Sequence, residues 1–469
     1  MSIGSDRWVE TAESRTEGPR RWWGRGKRRW DSLPPLARLG LLVALGALVP
    51  LVVSSDFLVR IGVNGLLLAL LAVGLNVSVG WAGLLDLGFV AFYGFGAYTF
   101  ALLSSDQLGV HLPTVLAVPI VILVVGLLGL VLGLPSWRLS GDYLAIVTLF
   151  FSQIFLELAL NFDRLGVDLT GGPNGISGVD PFSILGFEFS SPTSYFYLLL
   201  VLIALIVTML YLVDRTRTGR AWRALRDDPL AAEIMTVPIR RLKLMAFATG
   251  AAVAGLAGSL FASFQLGVYP LNFQIQFLIV IYAALILGGS GSLAGAVAGG
   301  IVVTLVLDLL RDPSQANAAF YGLIAVTLIA KVRPWRTLAA VVAATVALGY
   351  VVHAVVGAIW PDAVTGQVEA TGAFGSAIES WVVLPDDPTT IGNWAFCALV
   401  VGIVALTRVS PRTRTIILVP LLYLAAFVWE NRLVDEPSIT RQLLLGVLLI
   451  VMMISRPHGL LGTPRVERV

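Results

Sequence analysis

Four carboxylates stand in or beside long apolar runs: Asp86, Asp142, Glu157 and Asp308. An ionisable side chain at membrane depth is costly to keep there and marks a solute path, an ion path or a proton relay. Asp142 and Asp308 fall near the ends of their runs, where headgroup water reaches them. Glu157 lies deeper and is the stronger candidate for a functional group. Proton-driven carriers string Asp, Glu and His residues through the membrane, and no such chain is visible. The histidines His111, His353 and His458 show no metal-ligand spacing, and the single Cys397 can form no intrachain disulfide. Three lysines exist, Lys27, Lys243 and Lys331, none of them in a phosphate-binding G-x-x-x-x-G-K-[ST] loop, and H-E-x-x-H and G-x-S-x-G are absent. No catalytic residue, metal or cofactor is expected, and if ATP powers this chain, another chain hydrolyses it.

The segment 214–243 carries a second kind of chemistry. It reads Asp214-Arg-Thr-Arg-Thr-Gly-Arg-Ala-Trp-Arg-Ala-Leu-Arg226-Asp227-Asp228-Pro-Leu-Ala231-Ala232-Glu233, then Ile-Met-Thr-Val-Pro238. Asp228 can cap free N–H groups, Pro229 suits a first helical position, and Glu233 lies near the positive helix end. Pro238 turns Val237 away from helix, so about two turns are predicted. A short capped helix outside the membrane suits docking; a solvated connector is the plain alternative. In the loop 163–193, the run Leu169-Thr-Gly-Gly-Pro-Asn-Gly-Ile176 permits turns with positive φ.

The elements that hold these residues are almost all membrane spans. The 469 residues are 57% hydrophobic and 13% charged, against roughly 25% charged in soluble domains, and mean hydropathy is +0.86. This excludes a soluble globular enzyme, a disordered chain and a coiled coil. A span needs about 20 mostly apolar residues. Fourteen segments qualify: 37–54, 57–79, 84–103, 113–133, 142–162, 194–213, 244–265, 274–290, 293–311, 317–332, 337–358, 392–407, 414–430 and 440–455. The glycine-interrupted 84–103 is a candidate for a broken span, which membranes tolerate only where protein or a water-filled cavity satisfies the backbone. With the N-terminus inside, 27 of the 32 Lys and Arg residues fall on the cytoplasmic side, as the positive-inside rule requires. Both termini are then cytoplasmic. Residues 1–36 form a basic Arg/Trp-rich arm with no signal-peptide pattern, suited either to anionic headgroups or to fixing orientation alone.

Five blocks, in order, resemble the branched-chain amino-acid ABC transporter permease family, and specifically its LivM-type subunit. They are Gly74 to Gly88 with Gly94-Phe-Gly-Ala-Tyr98, Gly141 to Thr148, Leu169 to Ile176, Gly219 to Phe247, and Gly288-Gly-Ser-Gly-Ser-Leu-Ala-Gly295. Arg456-Pro-His-Gly-Leu-Leu-Gly462 resembles the family's ending. The resemblance covers roughly 37–336 and the last helix and tail. It implies an all-α polytopic transmembrane helical bundle of about ten core spans. It also implies a coupling segment facing two cytoplasmic ATPase subunits, built around Arg226, Asp227, Asp228, Ala231, Ala232 and Glu233. Asn76, Asp86, Tyr98 and Asp142 become pathway candidates, joined by Glu157 and by Gln153, which stands where relatives often carry Glu. Thr236 follows Met235 where the family often has Gly, which puts the turn after the helix in question.

Residues 337–469 then read as about four added spans with a cytoplasmic tail. Leu310 to Pro334 is echoed by Val434 to Pro457, which points to partial duplication or to chance similarity of apolar helices. The resulting expectation is a plasma (inner) membrane ABC importer permease for branched-chain or other hydrophobic amino acids. Its partners would be a second related permease, two ATPase subunits, an extracytoplasmic binding protein and membrane lipid, without nucleic acid. The alternatives are a self-sufficient secondary transporter or channel and, within the family, a urea or short-amide importer.

Overall fold

The computed structural model describes residues 35–52, 55–137, 139, 141–162, 168–184, 186–309, 311, 313–331, 335–361, 373–385, 388–407, 411–435, short pieces between 442 and 453, and 459–462. The basic arm, Arg138, His458 and most of the expected span 440–455 lie outside the described residues.

Apolar runs become helices because a bilayer offers no partner for backbone N–H and C=O groups, so each segment must satisfy its own. The first helices are α1 (Pro35–Val52), α2 (Asp56–Leu75), α3 (Phe89–Leu103), α4 (Thr114–Gly133), α5 (Asp142–Asn161) and α6 (Pro192–Asp214). Two short helices follow, α7 (Arg217–Asp227) and α8 (Pro229–Ile234), then α9 (Ile239–Gln265), α10 (Ile275–Gly288) and α11 (Leu293–Leu309). The chain continues through α12 (Pro313–Lys331), α13 (Trp335–Ile359), the short α14 (Ala373–Glu379), α15 (Pro388–Thr407) and α16 (Pro411–Asp435). Among the described residues, six helices are long and apolar enough to cross a membrane, and shorter apolar helices fall on the other expected segments up to 414–430.

Two compact units result: residues 1–301 with 460–469, and residues 302–459. The division falls inside α11, upstream of the boundary at 336 that the sequence suggested.

In the first unit α9 is the central post, packed by α2, α3 and α4. Small residues let the backbones meet: a Cβ on Gly258 would lie 2.6 Å from the Ala97 nitrogen, and one on Gly129 would lie 2.6 Å from the Ala251 Cβ. Three antiparallel two-residue pairs join the loops: β1 (Ser104–Ser105) with β2 (Val110–His111), β3 (Ile176–Ser177) with β6 (Gly267–Val268), and β4 (Ser183–Ile184) with β5 (Phe187–Glu188). Gly171, Gly172 and Gly175 take positive φ as expected of that loop. The tail closes on the same unit: Leu460 and Leu461 donate their N–H groups to the carbonyls of Leu287 (2.9 Å) and Gly288 (3.0 Å).

In the second unit α16 packs against α13 and α15. It also carries Glu430, buried and accepting hydrogen bonds from Asn317 Nδ2 (3.1 Å) and Tyr321 Oη (3.0 Å) of α12. The neighbouring Trp429 donates to Asn317 Oδ1 at 2.7 Å and stacks on Phe320 at 4.3 Å.

Candidate functional site

The most buried of the six long apolar spans ends in a break. α2 passes into a π-helical turn, Asn76–Trp81, and then into irregular backbone from Ala82 to Gly88. Turns of this type sit disproportionately at functional sites, because they widen the helix and free carbonyls from the regular ladder. Here the freed groups find side chains and distant backbone. Leu87 N–H donates to Thr148 Oγ1 (3.0 Å), Gly88 N–H to the Asp86 carboxylate (3.0 Å), and Tyr282 Oη to the Asp86 carbonyl (2.7 Å). Asp86 is buried, and its carboxylate shapes the entry to α3 by bonding two residues along its own backbone. α3 starts so close to α5 that a Cβ on Gly88 would lie 2.6 Å from the Thr148 carbonyl oxygen.

The segment after α6 is more structured than the sequence predicted. α8 forms as expected, with the Asp228 carboxylate accepting from the N–H groups of Leu230 (2.9 Å) and Ala231 (3.0 Å). It ends in paired bonds from Thr236 N–H to Glu233 O and from Val237 N–H to Ala232 O, with Thr236 at φ 63°. This is a Schellman termination, formed with Thr where glycine would be relaxed. The preceding α7 was not anticipated as a helix. It turns back on α6 at Gly219, where a Cβ would lie 2.5 Å from the Asp214 Cα, and Arg223 pairs with Asp214 at 2.9 Å.

α7 delivers two side chains into the bundle. Trp222 is buried, stacks on Trp81 at 6.1 Å and donates from Nε1 to the Leu242 carbonyl at 2.9 Å. The Arg226 guanidinium donates to the Gly80 carbonyl, inside the π turn. Trp81 Nε1 donates to the Gly291 carbonyl (3.1 Å), and Gly291 N–H donates to Asn76 Oδ1 (2.7 Å). Gly291, at φ 90°, belongs to the turn between α10 and α11. The break in α2, α7 and the α10–α11 turn thus converge on one buried node, and the tail residues Leu460 and Leu461 hold the far side of that turn.

The other sequence candidates distribute as follows. Ala232 is buried beneath α8, while Ala231, Glu233, Asp227 and Asp228 are exposed. The bare apolar side chains of α8 are Leu230, Ile234 and Met235, between 74% and 81% exposed; the sequence reading had not singled them out. Tyr98 is buried in an aromatic cluster, 6.0 Å from both Phe155 and Phe273. Asp142 and Glu157 are exposed on α5, and Gln153 is half-buried. Glu157 accepts from Asn161 Nδ2 at 3.1 Å. Asp308 is half-buried near the end of α11. Asn76, Asp86 and Tyr98 therefore belong to the packed interior, whereas the α5 residues share an outer face. Trp81, Trp222 and Gly291 were not singled out by the sequence reading, although the Gly-Ser-Gly run and the lone Trp of the 214–243 loop were visible signals. Among the described residues no group of His, Cys, Asp and Glu could hold a metal.

At the opposite end of α3, His111 stands between two carboxylates, with Nδ1 at 2.7 Å from Asp180 and Nε2 at 3.1 Å from Asp106. The hydrogen bond to Asp180, then that to Asp106, and the charges of both hold the imidazolium above the ordinary histidine range.

The family profile described as branched-chain amino acid transport system / permease component matches residues 57–332. The high-affinity branched-chain amino acid transport system permease protein LivM of Escherichia coli K12 is 38% identical over 306 residues, covering 59% of this chain and 70% of that one. The probable branched-chain amino acid transport permease protein LivM of Methanocaldococcus jannaschii is 26% identical over 259 residues, covering 52% and 72%. The autoinducer 2 import system permease protein LsrC of Yersinia pestis Pestoides F is 29% identical over 302 residues, covering 61% and 72%. No solved structure matches. With more than half its length inside the family profile, this multi-pass, all-α membrane chain belongs to the branched-chain amino acid transport system permease component family.

Proposed function

We propose that this chain is the transmembrane permease subunit of an ABC importer for branched-chain or other hydrophobic amino acids. The observation that carries the reading is α8. It is a capped helix of six residues flanked by Arg217, Arg220, Arg223, Arg240 and Arg241, yet it bares Leu230, Ile234 and Met235. A segment this charged does not enter the bilayer, so those apolar side chains call for a protein partner. The partner proposed is a cytoplasmic ATPase subunit, which supplies the energy. Leu230 and Ile234 stand one turn apart and enter its groove as adjacent knobs, with Glu233 and Asp227 at the rim.

That assignment places the α7–α8 end and both termini in the cytoplasm. The His111 end then faces the extracytoplasmic binding protein. α5 carries Asp142, Gln153 and Glu157 on one face with Tyr143, Ile146, Phe150 and Ile154, of which Tyr143 is 72% exposed. An ionisable group on an outward face favours a neighbouring protein or a wet path over lipid. A second permease subunit covers this face in the reading proposed, with the solute path between the two.

The test is reconstitution of the chain in proteoliposomes with and without the second permease, the ATPases and the binding protein. Uptake of leucine, isoleucine or valine is expected only with ATP and all partners. Uphill uptake by the lone chain, driven by an ion gradient, overturns the importer reading.

A further inference from the structure

We infer that Arg226 is a positioning residue that fastens the ATPase-docking segment to the break in α2, so that α7, the π turn and the α10–α11 turn move as one body. The inference rests on the docking reading of α8.

The freed carbonyls of a helix end need donors, and the Gly80 carbonyl lies where the π turn has left the α-helical ladder. Its donor comes from a residue 146 positions away in sequence. A guanidinium suits that place for three reasons. It keeps its charge, it complements the negative end of the helix, and it makes a charge-assisted bond stronger than an amide could. Around it, Gly80 and Gly291 leave no room for a side chain. A Cβ on Gly80 would lie 2.7 Å from the Gly291 nitrogen, and one on Gly291 would lie 2.7 Å from the Arg226 Nη1.

Three further ties join the same elements. Trp222 stacks on Trp81, Trp81 holds Gly291, and Gly291 holds Asn76. α8 is joined to α7 through Asp228 alone, which is at once the C-cap of α7 and the N-cap of α8. A pull on α8 therefore reaches α7 with no slack, and from α7 the rigid path inward runs through Trp222 and Arg226. The two side chains divide the work. Trp222 packs on Trp81 and bonds Leu242 of α9, whereas Arg226 grips a backbone carbonyl inside the π turn that continues α2. Rewinding the π turn to α-helix would shift Gly80 and draw on the guanidinium directly.

The test uses the complete transporter with its partner permease, ATPases and binding protein. Arg226→Gln is expected to co-purify with the ATPases as the parent does, to hydrolyse ATP, and to move about tenfold less solute per ATP, since a charge-assisted bond is lost. Arg226→Lys, which can still donate to Gly80, is expected to recover most of that ratio. An unchanged ratio in Arg226→Gln overturns the inference. Equal losses of ATPase association and uptake would make Arg226 part of the docking surface and overturn it too, while leaving the importer reading intact. Failure of the parent chain to bind any ATPase overturns the importer reading itself. A second measurement covers the case in which Arg226→Gln does not assemble. Spin labels at Ala224→Cys and Ser290→Cys, in a Cys397→Ser background, report the separation of α7 from the α10–α11 turn. A constant separation with and without ATP is expected, and a change as large as a helical turn, about 5 Å, overturns the rigid-body claim.

Discussion

The two ends of the first unit differ in where their titratable groups lie. At the α7 end side chains reach into the packed interior and bond backbone carbonyls, Trp222 to Leu242 fully buried, Arg226 to Gly80 and Trp81 to Gly291 partly so. At the other end backbone bonds such as Asp180 N–H to the Ser104 carbonyl (2.7 Å) are joined by an exposed cluster of titratable side chains, His111 with Asp106 and Asp180. Buried bonds in a low-dielectric setting are strong and expensive to leave unmade, so the α7 end is suited to carrying force. Exposed ion pairs are weak and screened by salt, so the His111 end is suited to opening and to sensing solution conditions.

The comparison breaks most visibly at Trp222. Trp222→Ala removes a buried ring, its stack on Trp81 and its bond to Leu242, and large buried aromatics replaced by Ala cost about 3–5 kcal/mol. The expected outcome is a strongly lowered melting temperature of the purified complex and poor recovery of assembled transporter. Gly80→Ala comes next. Its added methyl would press on Asn76 and on the Gly291 nitrogen at 2.7 Å, and overpacking of this kind costs about 1–3 kcal/mol. Uptake should fall with ATPase association retained, and co-purification of the ATPases with normal uptake would show that the node tolerates slack.

Thr236→Gly should act in the other direction. Thr236 holds φ 63° at the end of α8, a conformation that disfavours L-residues by roughly 1–2 kcal/mol. Glycine relieves that strain but loosens the unfolded loop, so a gain of about 1 kcal/mol or less is expected. Hydrogen exchange of the α8 amides should slow, and faster exchange would mean that the Thr side chain contributes something glycine cannot.

How much of this was legible beforehand follows the range of the interactions. Asp228, Pro229 and Pro238 predicted α8 because capping and proline effects act within a few residues, and the structure returns those bonds. The spans were legible because a bilayer imposes length and apolarity on each segment separately. Arg226 was expected as part of the coupling segment that the resemblance implies, not as a side chain turned inward to the α2 break. Its partner Gly80 is 146 residues away, and Gly291 is 215 residues from Asn76. No local pattern encodes such a meeting. The α7 helix was missed although Ala221, Trp222 and Leu225 stand at helical spacing among its charges, and Trp222 and Leu225 are both buried. Glu430 was passed over for the opposite reason: one acid at the end of an apolar run looks like a boundary, and its partners Asn317 and Tyr321 lie more than a hundred positions upstream.

The smallest expected effect belongs to the exposed end, and its sign is fixed by the geometry. Asp180 and then Asp106 raise the affinity of His111 for its proton in the folded state. A group raised in this way contributes fully below its unfolded value, about 6.5 for histidine, and loses that contribution as pH rises through the folded value. The side-chain part of the clasp between the β1–β2 hairpin and the Asp180 loop should therefore be strongest at low pH and weaken as pH rises through the raised value, while the Asp180 N–H to Ser104 O bond is unaffected. Hydrogen exchange across residues 104–111, corrected for the intrinsic dependence on pH, should show greater protection at the lower pH. His111→Asn should flatten that difference and leave the α7 amides untouched, since a guanidinium keeps its charge over this range. Protection of the hairpin that is equally pH-dependent in His111→Asn would remove the imidazolium from the account. The contrast between the two ends would then rest on burial alone.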